Sequence, residues 1–200
     1  LPSGYFGVDI FFVISGFVIT QSLWTHRHPS FAEFFVGFVA RRMRRLAPAL
    51  LLCIAVTSVA VWLLVPMPKD SLQTGLFALF GVSNLFLYFQ HVDYFTPSRD
   101  LNVFVHTWSL GVEEQFYLVF PAIFWLCGTR RRRGFVLGGV IAVLCAASLI
   151  ASIAFARFDT QAVFYLMPFR FWELGAGVLL FLLTRRVETP MSGRVGATVP

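Results

Sequence analysis

The chain has 200 residues, of which 58% are hydrophobic and 13% charged, with a net charge of +6 and a mean hydropathy of +0.75. A soluble domain carries about 45–50% apolar and about 25% charged residues, so a water-soluble globule is excluded. The surplus falls in runs long enough to cross a hydrocarbon layer of about 30 Å, which takes about 20 residues.

The first apolar run covers residues 5–24 and is followed by His26, Arg27 and His28. Residues 31–39 form a short aromatic stretch with interfacial character, leading into the block Arg41, Arg42, Arg44 and Arg45. A second span follows over residues 47–65, with Pro48 in its first turn, where a missing N–H costs little. Residues 66–70 read as a tight loop. A third run covers residues 74–89, and a polar loop over residues 91–102 holds His91, Asp93, Arg99 and Asp100. The fourth run, residues 106–127, starts polar and turns apolar at Phe116. A fifth run covers residues 135–156 and a sixth covers residues 163–184. The expected fold is therefore all-α: a polytopic transmembrane helix bundle of five to six apolar runs.

Basic blocks beside spans mark cytoplasmic loops, which places Arg41–Arg45, Arg130–Arg133 and Arg185–Arg186 inside and excludes a nucleic-acid surface. That assignment requires one of runs three and four not to cross. Run three is the better candidate for a re-entrant segment, because it is short and carries Gly81, Ser83 and Asn84 in its middle. Asp9, His106, Glu113, Glu114, Arg170 and Glu173 then lie toward the outer side, opposite the basic blocks. Cys53, Cys127 and Cys145 all sit within apolar runs and read as small fillers, neither a disulfide framework nor a metal site. The chain opens without Met, in a Pro/Gly stretch, and residues 185–200 read as a truncated cytoplasmic loop, so the whole is expected to be a segment of a longer protein.

Ionisable groups in membrane spans are costly and are functional suspects by default. The densest set runs from His106 to Tyr117. If that stretch is helical from its start, His106, Ser109, Glu113 and Tyr117 share one face; if Ser109 is the N-cap, His106 sits just outside. A base, a carboxylate and a phenol in one cavity could take a proton from an acceptor and stabilise an oxyanion, or could simply hold helices together. Asp9 needs a partner. Arg170 and Glu173, three residues apart, can pair on one helix face, with Gly175 and Gly177 permitting close helix contact. The Arg41–Arg45 block sets topology, binds anionic headgroups, or holds a phosphorylated donor, since arginine forks match phosphate oxygens.

Four motifs carry a resemblance. G-Y-F-G-V-D-I-F-F-V-I-S-G-F-V-I-T over residues 4–20, R-M-R-R-L-A-P over 42–48, H-T-W-S-L-G-V-E-E-Q-F-Y-L over 106–118 and P-F-R-F-W-E-L-G over 168–175 together resemble the acyltransferase-3 family of membrane O-acyltransferases, over residues 1–184. The resemblance implies transfer of an acyl group, often acetyl, from cytoplasmic acyl-CoA as donor substrate, with no bound cofactor, to a hydroxyl of an extracytoplasmic glycan such as lipopolysaccharide or peptidoglycan. The expected location is the inner (plasma) membrane, and the partners are the bilayer, acyl-CoA and the glycan. It assigns supporting catalytic roles to Glu113, Glu114 and Tyr117, with His106 beside them. Substrate contacts fall to Asp9, Arg170 and Glu173, and acyl-CoA contacts to Arg42 and Arg45, flanked by Arg41. The family's proposed catalytic His lies on a first membrane helix, expected N-terminal to Leu1, so these 200 residues alone are expected to be inactive. The long block is closest to members fused to an SGNH-type extracytoplasmic domain. The competing reading is a secondary transporter or polysaccharide exporter, which would account for intramembrane charges but predicts inverted repeats.

Overall fold

A computed structural model describes residues 4–25, 30–66, 68–90, 102–127 and 130–192, without the side chains of residues 4, 5, 130–133 and 186–192. Its helices are α1 (Gly4–Thr25), α2 (Phe31–Leu64), α3 (Lys69–Leu79), α4 (Ser83–Phe89), α5 (Trp108–Leu126), α6 (Arg130–Phe155), α7 (Thr160–Tyr165) and α8 (Met167–Ser192), with a 3₁₀ turn at Val105–Thr107. No strand occurs among the described residues. Four stretches, Phe6–Thr25, Phe31–Leu64, Gly134–Phe155 and Thr160–Arg185, are long and apolar enough to cross a bilayer. Many large apolar side chains on them face outward, among them Ile10, Leu52, Val56, Trp62, Val143 and Ile153. The molecule is an all-α, multi-pass membrane bundle.

The core forms where α1, α5, α6 and α8 meet. Helices α1 and α8 run parallel and touch through their backbones: a Cβ on Gly16 would strike the Leu174 carbonyl, and one on Gly177 the Val13 carbonyl. Small residues allow this approach, which matters in lipid because dispersion replaces the hydrophobic drive between helices. Helix α6 runs antiparallel to α8. Ser148 Oγ donates to the Pro168 carbonyl at 2.6 Å, and Ser152 Oγ donates to the Phe169 carbonyl at 2.5 Å. Helix α5 fills the centre, burying Trp108, Val112, Phe116, Phe120 and Phe124 at helical spacing. Phe12 meets Trp108 at one end and Trp24 meets Phe124 at the other, so α1 and α5 are parallel.

Four expectations change. The aromatic stretch at 31–39 and the span at 47–65 are one 34-residue helix, α2, with the arginine block inside it and not in a loop. Ser30 caps its start by accepting from the Glu33 N–H, and Phe34 and Phe38 anchor its first turns in the core. Pro48 thus lies mid-helix, where it forgoes one backbone bond. Lys69 and Asp70, expected in a loop, form the first turn of α3, where an acidic residue suits the helix dipole. Run six is broken at Leu166 into α7 and α8, with Asp159 capping α7 through the Ala162 N–H at 2.8 Å. Finally, α8 continues through Arg185 to Ser192, where a loop was expected from residue 185.

Run three does not cross. Helices α3 and α4, of 11 and 7 residues, fold against each other across a turn at Gly81, whose φ of 67° suits glycine. Phe77 and Phe86 stack at 4.4 Å across the hairpin. Gly81 lies against Glu114, Ser83 Oγ donates to the Thr107 carbonyl, and Tyr88 donates to Asp159. From its turn, α4 therefore rises toward the end of the bundle where α7 begins.

Candidate functional site

Two ion clusters lie inside this bundle. The first joins α2 to α5. Along α2, Phe34, Phe38 and Arg42 meet Phe124, Tyr117 and Glu113 in turn, so the helices are antiparallel and Arg42 is carried onto the carboxylates. Arg42 Nη2 donates to Glu113 Oε2 at 3.1 Å, and Arg42 Nε donates to Glu114 Oε1 at 3.2 Å. The guanidinium carbon stands 3.5 Å from the centre of the Tyr117 ring, a cation–π contact. The Tyr117 hydroxyl donates to Glu113 Oε1, with Ser15 of α1 nearby. Glu113 and Tyr117 are each 4% exposed. With α5 as the ruler, this cluster sits about 8 Å below Trp108 and about 16 Å above Phe124, well inside the helix bundle.

The second cluster joins α1 to α8. Arg170 Nη1 donates to Asp9 Oδ1 at 3.1 Å and to Glu173 Oε1 at 2.6 Å, and Arg170 Nε donates to the Phe164 carbonyl at 3.3 Å. Trp108 and Phe164 flank the guanidinium at 5.6 and 5.2 Å. Glu173 is 1% exposed, and its Oε2 is buried without a hydrogen-bond partner among the described residues. Charges this deep persist only when paired, and each arginine here is shared by two carboxylates.

A polar bridge links the clusters. Gln115, next to Glu114, donates to Asn84 Oδ1 at 2.9 Å, and Asn84 Nδ2 donates to the Tyr165 carbonyl at 2.9 Å. Tyr165 adjoins Phe164, the carbonyl partner of Arg170. Gly111 leaves room for Asn84, whose Oδ1 would stand only 2.5 Å from a Cβ there.

The sequence-derived residues are thus brought together unevenly. Glu113 and Tyr117 share a site, as their spacing implied, together with Glu114, which the resemblance supplied, and Asp9, Arg170 and Glu173 form another. Arg42 departs from its expected place: it belongs with the carboxylates and not with a separate basic surface on the opposite side. Arg45 is exposed, as is Arg44, and Arg41 is half-buried with Nε and Nη2 lacking partners among the described residues. His106 sits in the 3₁₀ turn before α5, exposed, and no hydrogen bond or ion pair joins it to Glu113 or Tyr117. The helix starts at Trp108, so neither arrangement expected for His106 and Ser109 is realised; Ser109 Oγ donates to the His106 carbonyl at 3.3 Å. His26, His28 and His91 lie outside the described residues. Ser15, Asn84, Gln115 and Trp108 were not singled out as site residues, because a neutral polar or aromatic residue in an apolar run has no spacing that distinguishes it from packing.

A family profile described as "Acyltransferase domain" (Acyl_transf_3) matches residues 2–195. The chain is 35% identical over 187 residues to the "Putative membrane-bound transacylase BcsY" of Komagataeibacter xylinus, covering 92% of this chain and 46% of that protein. It is 33% identical over 186 residues to "O-acetyltransferase OatA" of Staphylococcus aureus, covering 90% and 30%. It is 32% identical over 188 residues to the "Putative peptidoglycan O-acetyltransferase YrhL" of Bacillus subtilis, covering 90% and 29%. The chain therefore spans less than half the length of each of these relatives. No solved structure matches it.

Proposed function

Because the chain belongs to the acyltransferase-3 family, we propose that the protein transfers an acyl group from acyl-CoA, through the membrane bundle, to a hydroxyl of an extracytoplasmic glycan. The group named for two of its relatives is acetyl, and the name of one points to peptidoglycan as acceptor. The observation that carries this reading is the set Arg42, Glu113, Glu114 and Tyr117, with Glu113 and Tyr117 buried and Arg42 and Glu114 half-buried, reached from α2 beside three further arginines.

The chemistry asks for a proton acceptor near the incoming hydroxyl and a donor near the thioester oxygen. Glu114 is less buried than Glu113, at 19% against 5% side-chain exposure, which suits it to take or relay the acceptor's proton. A guanidinium carries five N–H donors, and Arg42 commits two of them to the carboxylates, which leaves donors for an oxyanion. As the acceptor oxygen bonds to the thioester carbon, the C–S bond breaks and the proton ends on the departing CoA thiolate. Glu113 and Tyr117 hold Arg42 in place.

The role of the arginine block divides accordingly. Arg42 is neutralised by two glutamates and is a poor phosphate ligand. Arg41, whose Nε and Nη2 lack partners among the described residues, and the exposed Arg45 suit the phosphates of CoA. The positive-inside rule supports a cytoplasmic position for the end of the bundle bearing Arg185 and the start of α6, an outer position for the Asp9–Arg170–Glu173 end, and, on this reading, the plasma (inner) membrane as the location. The outer cluster then suits acceptor binding.

The test is labelled acetyl-CoA supplied to inside-out membrane vesicles carrying the full-length protein, with mass analysis of the envelope glycan. Gain of one ester-linked acyl group, absent when the gene is deleted, is expected; an unchanged glycan refutes the reading. Arg45→Ala should raise KM for acyl-CoA several-fold with kcat nearly unchanged. Arg42→Ala should instead abolish turnover while leaving donor affinity nearly unaltered.

A further inference from the structure

A cavity of about 360 Å³ opens beside the Arg42 cluster, between α2, the α3–α4 turn and α5. Arg42, Glu114 and Tyr117 line it and are gathered at one place by their mutual contacts. Gln115 also lines it, but its amide is engaged with Asn84. The remaining wall is apolar: Leu46, Leu50, Ala78, Val82, Leu110 and Leu118 are representative. From Arg42 to Leu51, both lining residues, α2 rises about 14 Å. The cavity therefore leads from the ion cluster along a hydrocarbon wall.

We propose that this cavity receives the acyl chain of the donor, so that the enzyme uses aliphatic acyl groups longer than acetyl. The inference rests on the acyl-transfer reading given above and adds the identity of the group transferred. Three observations converge on that occupant. The wall has few polar partners for the amides of a pantetheine arm, which would be buried unsatisfied there, whereas methylenes need none. The polar end is the cluster that would face the thioester carbonyl. The volume is also far beyond what acetyl requires: at about 30 Å³ per water-sized unit it holds roughly a dozen, while an acetyl group has three heavy atoms. The transfer step is unchanged: the acceptor C–O bond forms, the thioester C–S bond breaks, and the hydroxyl proton passes to the leaving thiolate.

Burial of each methylene should favour the longer donor by about two- to fourfold. The experiment supplies acetyl-, butyryl-, hexanoyl- and octanoyl-CoA to inside-out vesicles from the native host carrying the full-length protein, with gene-deleted vesicles as baseline. Transfer into the envelope fraction is measured for each. The expected profile rises from acetyl to hexanoyl, by about tenfold or more in kcat/KM. Ala47→Phe, which projects a ring into the cavity, should lower the hexanoyl-to-acetyl ratio at least about fivefold. Val56→Phe, at an outward-facing position on the same helix, should leave that ratio as it was. A flat or falling wild-type profile overturns the assignment, as does an Ala47→Phe ratio equal to wild type. A flat profile together with a co-purifying phospholipid that Ala47→Phe loses would give the cavity to a bilayer lipid tail instead. Acetyl transfer with a flat profile leaves the parent reading intact, whereas absence of protein-dependent transfer from every donor refutes both.

Discussion

Arg42 is held at a point where three helices contribute. Glu113 and Glu114 share its charge, Tyr117 lies under its face, and Ser15 reaches the Tyr117 hydroxyl from α1. Removing it leaves two carboxylates close together with no cation, and breaking a buried pair this way costs about 3–5 kcal/mol. Arg42→Ala should therefore lower the thermal unfolding midpoint of the purified full-length protein markedly. Adding Glu113→Gln should restore part of the loss, since residues in one network couple by about 0.5–3 kcal/mol; strictly additive losses would contradict the pairing. At the Asp9–Arg170–Glu173 cluster, Arg170→Met should be severe because Glu173 is 1% exposed. Asp9→Asn should be milder, because the Asp9 side chain is 36% exposed and retains solvent. His106→Ala should leave stability within about 0.5 kcal/mol, as for other exposed positions, and transfer activity nearly unchanged. A large activity loss there would show that the histidine acts in the reaction despite its exposure. Glu113 and Tyr117 were legible as a pair from 3.6-residue spacing, and Glu114 from the motif it belongs to. Their arginine was not, because residues 42 and 113 meet only when α2 and α5 pack.

At the scale of elements, the hairpin of α3 and α4 delivers Gly81 to Glu114 and Asn84 to Gln115, walling both the cavity and the bridge between clusters. Gly81→Ala forces a left-handed backbone onto a residue with a Cβ, at a cost of about 1–2 kcal/mol. It also presses that Cβ to 3.0 Å from Glu114, so donor turnover should fall along with stability. The α1–α8 contact makes a sharper test. Gly16→Leu and Gly177→Leu place side chains against opposing backbone and should prevent accumulation of folded protein. Gly7→Ala, with open space around its Cβ, should be tolerated. Equal tolerance at all three, measured by size-exclusion profile and unfolding temperature, would disprove the close packing. Gly175 and Gly177 were recognisable beforehand as contact residues, but their partners, Cys145 on α6 and Val13 on α1, were not.

For the whole molecule, the arrangement implies that Lys69, Gln90 and Arg157 emerge on one side of the membrane, because α3 and α4 enter and leave together. In a cysteine-free full-length background, with Cys53, Cys127 and Cys145 replaced, single cysteines at these three exposed positions should react with a membrane-impermeant maleimide from the outside of intact cells. Labelling of positions 69 and 90 from opposite sides would show that run three crosses after all. With the hairpin non-crossing, the basic blocks at the start of α6 and the end of the α8 span share one side, which removes the parity conflict.

Hydrophobic run length and basic blocks determined by themselves that this is a helical membrane bundle, since bilayer thickness and the cost of an unpaired backbone act on local sequence, and the resemblance of four ordered motifs pointed to the acyltransferase family. Cap and hinge positions were only partly readable: Pro48 looked like a helix start and is mid-helix, because α2 is anchored at Ser30 and by Phe34 and Phe38 across the bundle. Which charge neutralises which was decided only by tertiary structure. An arginine in an apolar run announces that a partner is needed, but the partner is chosen by packing between helices far apart in the chain. That same packing closed Arg42 between two glutamates, left Arg45 exposed, and left Arg41 Nε and Nη2 without partners among the described residues.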